Sequence, residues 1–176
     1  MRAKRKLSVA EIVIYGMMGG VMVAAKEILA WLPNIELVTV LIITYTVVMK
    51  KRAIIPTYVF VLLEILLYGF GLWSFTYLYI WLILIVAVLV LDKCGNSLES
   101  VIVVAVLAGT YGLMYGLLSA FPTLIVSGPK AAWGYFISGI VYDIGHCVGN
   151  VLTTLILYRP LRKLLTDMFN RYLGAM

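Results

Sequence analysis

The sequence predicts an all-α integral membrane protein, a bundle of six helices forming one domain over residues 1–176. Hydrophobic residues make up 64% of the 176 residues and charged residues only 12%, and the mean hydropathy is +1.06. A soluble domain of this composition would lack the polar residues needed to cover its surface. Short polar segments separate the apolar runs, and no hydrophilic stretch is long enough for a second domain.

Breaks in the apolar pattern define the helices. Pro33 and Asn34 end the first apolar run, and Lys50 marks the end of the second. Roughly 15 residues of helix span only about 22 Å, less than the bilayer core, so we expect neighbouring helices to shield the second one. Residues 92–100 are predicted to form a polar loop and residues 122–131 an outer loop. The predicted helices are 9–32, 36–49, 53–68, 73–91, 101–121 and 133–163.

The basic residues indicate the topology. Twelve of the fourteen Lys and Arg residues lie in the N-terminal segment, the 50–52 turn, the 92–100 loop and the C-terminal segment. On the opposite side only Lys130 is predicted, and Lys26 falls within a helix. Because cytoplasmic loops are enriched in Lys and Arg, both termini are predicted to be cytoplasmic. This pattern also explains the net charge of +6, so no nucleic-acid partner is expected.

Polar groups inside the predicted helices suggest a binding site. By helical rise, Glu64 lies about 17 Å from the inner start of its helix and Asp143 about 15 Å from the outer start of its own. Both therefore lie near the bilayer midplane, and we expect them to be neighbours. Lys26 is expected to pair with one of them or with a ligand carboxylate. Tyr111 and Tyr115 add ring surface and hydroxyl groups.

The fourth helix begins with an aromatic stretch. Its side chains provide further stacking surface for a solute that contains a ring. This end of the helix is also predicted to belong to the aromatic belt at the membrane interface. The residues concerned are Trp73, Phe75, Tyr77, Tyr79 and Trp81.

The last helix carries three polar side chains on one narrow arc. At about 100° per residue, Asp143, His146 and Asn150 share this arc with Gly139 and Thr154. Such an arc faces the bundle interior or a wet cavity rather than lipid. For Asn150 we favour an interhelical hydrogen bond, and for Asp143 a role in binding. For His146 the structural and the functional interpretations both remain open.

The motifs exclude several other kinds of site. A metal site would need more His or Cys ligands than His146, and Cys147 lies on a different face, so neither a metal nor another cofactor is expected. Cys94 and Cys147 are interpreted as ordinary thiols because their predicted depths differ. There is no GxSxG element, Walker A motif or GxGxxG loop. The chain therefore cannot energise transport alone.

Small residues recur in two helices. Gly16, Gly20 and Ala24 follow one another at every fourth position of the first helix, which allows another helix to approach closely. This stripe is interpreted either as a docking surface or as packing within the bundle, and both alternatives remain open. In the fifth helix, three glycines are expected to open room around the two tyrosines: Gly109, Gly112 and Gly116.

The chain resembles a substrate-binding S component of the energy-coupling factor (ECF) vitamin transporters. The strongest local match is GIVYDIGHCVGN, residues 139–150, followed by LILYRPLRKLL. The similarity to the family extends over the full length in three general features: six short helices, two cytoplasmic termini and a basic N-terminus. The family usually carries Ala-x-x-x-Ala in helix 1 for docking on the coupling subunit, where this chain has the glycine stripe. The resemblance implies a transmembrane coupling subunit and two cytoplasmic ATPase subunits as partners.

We therefore expect a multi-pass protein of the prokaryotic cell membrane, surrounded by lipid, that binds a vitamin or similar small organic solute for an ATP-driven importer. Cobalamin-like, pterin-like and thiamin-like solutes all remain open. The alternatives are a small membrane enzyme with Asp143 and His146 as an acid/base pair, and a self-sufficient transporter. The predicted solute-binding residues are Lys26, Glu64, Tyr111, Tyr115, Asp143 and His146.

Overall fold

All regular structure in the described part of the chain is helical, as predicted. The computed structural model describes residues 7–32 and 34–172, apart from the side chain of Asn96. The basic N-terminal segment (residues 2–6) and the break at Pro33 lie outside the described residues. Short 3-10 helices, Lys50–Ala53 and Asn96–Glu99, precede the third and fifth helices. The helices are α1 (Val9–Ile28), α2 (Val38–Met49), α3 (Ile54–Tyr68), α4 (Leu72–Asp92) and α5 (Val101–Tyr172).

A single residue divides α5 into two helical arms. Gly128 has φ 81° and ψ 175°, and helix continues on both sides of it, in a first arm (residues 101–127) and a second arm (residues 129–172). The predicted loop over residues 122–131 is therefore wrong. Glycine adopts a positive φ without steric cost, and Pro129 follows it in the first turn of the second arm, where its missing N–H is tolerated.

The short helix α2 lies in the centre of the bundle. Every one of its 12 residues except Val48 is buried, although the helix is only about 18 Å long. The prediction that neighbouring helices shield it is confirmed. Its polar side chains are satisfied locally, because the hydroxyl of Thr44 donates to the carbonyl of Val40 at 2.6 Å and that of Thr46 to Ile42 at 2.7 Å.

The N-terminal end of α1 is fixed by side-chain hydrogen bonds. Ser8 and Glu11 form a capping box, in which each side chain accepts from the backbone N–H of the other. Glu11 also accepts from Arg52 at 2.7 Å, which ties α1 to the turn before α3. Along its length α1 packs mainly on α3.

Among residues 7–32 and 34–172, three helices are long and apolar enough to cross a membrane: α1, α4 and α5. Large hydrophobic side chains are exposed along their outer faces, among them Val21, Val86 and Val141. Since α2 and α3 have only 12 and 15 residues, they fall below the usual length for a span. That six segments cross the membrane, with both termini in the cytoplasm, stays a prediction.

Candidate functional site

An aromatic cavity of about 360 Å³ opens between α1, α3, α4 and the first arm of α5. A second cavity of about 300 Å³ shares three of its lining residues and continues towards Thr123 and Tyr135. Together they have the size and the largely apolar lining of small-molecule sites. The residues lining the aromatic cavity are Lys26, Glu64, Tyr68, Trp73, Tyr77 and Tyr115.

An ion pair lies in the lining of this cavity. The ammonium group of Lys26 donates a hydrogen bond to Oε2 of Glu64, and it lies 4.8 Å from the ring centre of Tyr68 and 5.9 Å from that of Tyr77. The pairing of Lys26 with Glu64 was one of the predicted alternatives and is confirmed. The Glu64 side chain is 0% exposed, whereas Lys26 retains 31% exposure. Within the described residues, no group donates to the second carboxylate oxygen, Oε1.

Aromatic side chains of α4 form one wall. Trp73 contacts Tyr77 edge to face with 5.3 Å between ring centres, and Tyr77 contacts Trp81 in the same way at 5.4 Å. The spacing of four residues places these rings on one face of the helix. Trp81 is only 3% exposed, so its predicted place in an interfacial belt is wrong. Phe75, on the opposite face, is 50% exposed.

The two predicted tyrosines of α5 have different positions. Tyr115 lines the cavity, and its ring stacks on that of His146 with 5.0 Å between centres and 6° between planes. His146 thus supports a wall of the cavity from behind. Tyr111 is buried, and its hydroxyl donates to the carbonyl of Ile80 at 2.9 Å. Tyr111 is not among the lining residues of the aromatic cavity.

Asp143 lies at the contact between the arms of α5. Its Oδ1 accepts from the backbone N–H of Gly116 at 2.9 Å, and the side chain is 5% exposed. Asp143 is absent from the cavity lining, and no described contact joins it to Glu64. The expected proximity of the two carboxylates is therefore not found, because helical rise predicts depth and leaves the direction around the bundle undetermined.

Glycines of the first arm allow this close contact. A Cβ atom at Gly112 would lie 2.8 Å from the backbone of His146 and Cys147, and one at Gly109 would lie 2.7 Å from Val151. These glycines were expected to open room around the tyrosines, and that expectation is wrong. They bring the second arm close to the first.

Three further polar residues of the second arm, Asn150, Thr154 and Tyr158, lie on its inward face. Asn150 is 1% exposed and donates from Nδ2 to the carbonyl of Ala108 at 3.3 Å. The predicted interhelical hydrogen bond is therefore confirmed. Further along, the hydroxyl of Tyr158 donates to the carbonyl of Leu98 at 2.7 Å, and Thr154 is fully buried.

The small-residue stripe on α1 faces away from the bundle. A Cβ atom added at Gly16 or Gly20 would meet no other atom within 4 Å, and Ala24 is exposed. Packing within the bundle uses Gly19 instead, where an added Cβ would lie 2.6 Å from Val59. Of the two interpretations of the stripe, internal packing is thus wrong for this chain.

Several residues of the cavity were missed or only partly recognised from the sequence. Tyr68 was interpreted only as the end of a helix, and Trp73 and Tyr77 only as members of a longer aromatic stretch. The four-residue spacing of Trp73, Tyr77 and Trp81 was the signal that could have identified an inward row. Both cysteines are free, and no three His, Cys, Asp or Glu side chains within residues 7–32 and 34–172 are grouped as metal ligands.

Comparison with known proteins adds no relative. No family model, curated protein or solved structure matches the chain.

Proposed function

We propose that the chain binds a small, vitamin-like organic solute in the aromatic cavity and serves as the substrate-binding subunit of an ECF-type importer in the cell membrane. One observation carries this proposal. A fully buried carboxylate, Glu64, lines an aromatic cavity and has one oxygen without a donor among the described residues. A buried polar atom without a partner costs on the order of 1–3 kcal/mol, so this oxygen needs a partner that the described side chains do not supply, and its place beside a cavity favours a ligand in that role.

The surroundings of the carboxylate support binding over a purely structural ion pair. If the ion pair served only to join α1 to α3, we would expect other side chains to pack closely around it. Instead Lys26 and Glu64 lie beside open space bounded by Trp73, Tyr77 and Tyr115. Aromatic walls with a few polar groups are typical of sites for small organic molecules.

The surface of α1 supports a partner in the membrane. Gly16, Gly20 and Ala24 form a smooth stripe that no described part of the bundle covers. Small residues at four-residue spacing allow the close approach of another transmembrane helix. In the proposed complex a coupling subunit packs here, and two cytoplasmic ATPases supply the energy. Six membrane crossings with both termini in the cytoplasm complete the arrangement.

The geometry supports a binding protein better than the alternative, a small membrane enzyme with Asp143 and His146 as an acid/base pair. An acid/base pair needs two groups within hydrogen-bond reach of a common substrate. Asp143 accepts from Gly116 between the arms, while His146 stacks on Tyr115, and no described hydrogen bond joins the two. Neither residue is among those lining the aromatic cavity.

The decisive experiment identifies the solute and its site together. The protein is purified in mild detergent and the small molecules that accompany it are identified by mass spectrometry. Glu64→Gln and Trp73→Ala should lower the retained amount at least several-fold, whereas Phe75→Ala, which removes an exposed ring from the opposite face of α4, should not. All three variants should remain folded, as judged by gel filtration and thermal unfolding.

Two results would contradict the proposal. One is a solute whose retention is the same in Glu64→Gln, Trp73→Ala and the parent protein. The other is a chemically altered product that accumulates with the parent protein and disappears in Asp143→Asn, because this result would indicate the enzyme.

A further inference from the structure

The ion pair presents a hydrogen-bond donor beside an acceptor at the edge of the aromatic cavity. A lysine ammonium group carries three donor hydrogens, and the only hydrogen bond described for Lys26 is the one to Oε2 of Glu64. The second oxygen of Glu64 accepts nothing from the described residues. Both side chains belong to the lining of the same cavity. Oε1 has no contact with solvent in this structure, so a solute that donates to it must displace a lining side chain.

From this arrangement we infer the chemical class of the solute: a flat, uncharged heterocycle that has a ring N–H next to a carbonyl oxygen, as in a cyclic amide. The ring N–H donates to Oε1 of Glu64, and the neighbouring oxygen accepts from the ammonium group of Lys26. This inference rests on the proposed function, since it concerns the same cavity.

The charges of the site favour an uncharged solute. Lys26 and Glu64 neutralise each other, so the lining has no net charge. A cationic solute would have to share the rings of Tyr68 and Tyr77 with the ammonium group that already lies over them. An anionic solute would bring its charge next to the unpaired oxygen of Glu64. A neutral group with donor and acceptor side by side satisfies both partners without such a conflict.

The walls of the cavity favour a flat ring. Trp73 and Tyr77 present faces and edges of rings from α4, and Tyr115 adds another from the first arm of α5. Tyr115 is held in its orientation by the parallel ring of His146 behind it. Aromatic rings prefer offset-stacked or edge-to-face contacts with other rings, so this lining selects planar solutes.

Two matched probes test the inference: 2-quinolone, a bicyclic lactam, and N-methyl-2-quinolone, in which a methyl group replaces the ring hydrogen. Their affinities for the purified protein, freed of co-purified solute, are measured by isothermal titration calorimetry. We expect the N-methyl probe to bind at least tenfold more weakly, because it cannot donate to Glu64 and leaves the carboxylate oxygen unpaired.

A double variant shows whether the ion pair causes this difference. Lys26→Met/Glu64→Leu replaces the pair by apolar side chains of similar size, an exchange that buried ion pairs often tolerate without loss of stability. The ratio of the two affinities should fall to about one in this variant. The Phe75→Ala control should retain the ratio of the parent protein.

The inference is overturned if the parent protein binds both probes equally or binds neither, and also if the double variant keeps the tenfold difference. These outcomes leave the proposed function to its own test. Retention of a co-purified solute that depends on Trp73 would still support a binding protein, with a solute of another class. If retention of the solute depends on neither Trp73 nor Glu64, the proposed function itself fails.

Discussion

The carboxylate of Asp143 accepts a hydrogen bond from the backbone N–H of Gly116, with 2.9 Å between nitrogen and oxygen. This contact joins the two arms of α5. A Cβ atom at position 116 would overlap the carboxylate, with only 2.8 Å to its carbon Cγ. The glycine therefore allows both the hydrogen bond and the short distance between the arms.

Gly116→Ala should destabilise the protein by about 1–3 kcal/mol, the usual cost of forcing an extra methyl group into a packed contact. The matched control is Gly139→Ala, in the second arm, where an added Cβ meets no atom within 4 Å. Thermal unfolding in detergent should show a lower midpoint for the first variant and no loss for the second. Equal midpoints for Gly116→Ala and the parent protein would mean that the arms separate at little cost.

A second prediction concerns pH and the contact between Glu99 and Arg162. Two guanidinium nitrogens of Arg162 donate to the Glu99 carboxylate, one of them at 2.7 Å. These hydrogen bonds hold the pKa of Glu99 below its ordinary value of 4.5. Since the folded protein binds this proton less readily than the unfolded chain, the contact stabilises the fold above the ordinary pKa. The stabilisation is lost as the pH falls through the lowered pKa.

The measurement compares the melting temperatures of Glu99→Gln and the parent protein from about pH 7 to about pH 3. The variant should melt slightly lower near neutral pH, because exposed ion pairs contribute little. The difference should vanish at acid pH. Arg162→Gln should show the same pH-dependent loss and, in addition, a loss that does not change with pH, because Arg162 also donates to the carbonyl of Leu98. A difference that stays constant with pH would show that the carboxylate charge is not responsible.

The sequence alone predicted most of the helices, and it predicted the candidate site much less completely. Apolar runs between Pro, Gly and Lys breaks predicted most of the helix boundaries, because these residues act through the local backbone. The predicted outer loop was too long. Pro122 and Pro129 both lie within helix, and Gly128 is the residue whose backbone angles are not helical. A proline indicates where a hydrogen bond is missing, and neighbouring structure decides whether the helix ends there.

For the candidate site, the sequence did not provide the rotation of the helices about their axes. Helical rise placed Lys26, Glu64 and Asp143 at compatible depths, but only the first two meet. Their pairing depends on how α1 and α3 are rotated against each other, and at this helix contact Gly19 packs closely on Val59. Such a contact is a tertiary property that periodicity within one helix does not contain.

A third prediction concerns topology. Lys51, Lys93 and Ser127 are exposed, and the first two lie among the basic residues that predict the cytoplasmic side. In a background of Cys94→Ser and Cys147→Ala, cysteines at positions 51 and 93 should resist an impermeant thiol reagent applied to intact cells, and one at position 127 should react. All three should react after the cells are opened. The reverse labelling pattern would place the termini outside.

The last prediction concerns the partner surface on α1. Gly16→Leu and Gly20→Leu add bulk to a stripe that no described part of the bundle covers, so folding and solute retention should match those of the parent protein. Association with a co-produced coupling subunit and its two ATPases should fall at least several-fold, because close helix approach is blocked.

Gly19→Leu is the matched control one residue away. It should instead lower the melting temperature, since the new side chain would overlap Val59 of α3 and the carbonyl oxygen of Pro56. Co-purification through a tag on the coupling subunit measures association, and unfolding in detergent measures stability. Unchanged association of the folded Gly16→Leu and Gly20→Leu proteins would show that the partner binds elsewhere.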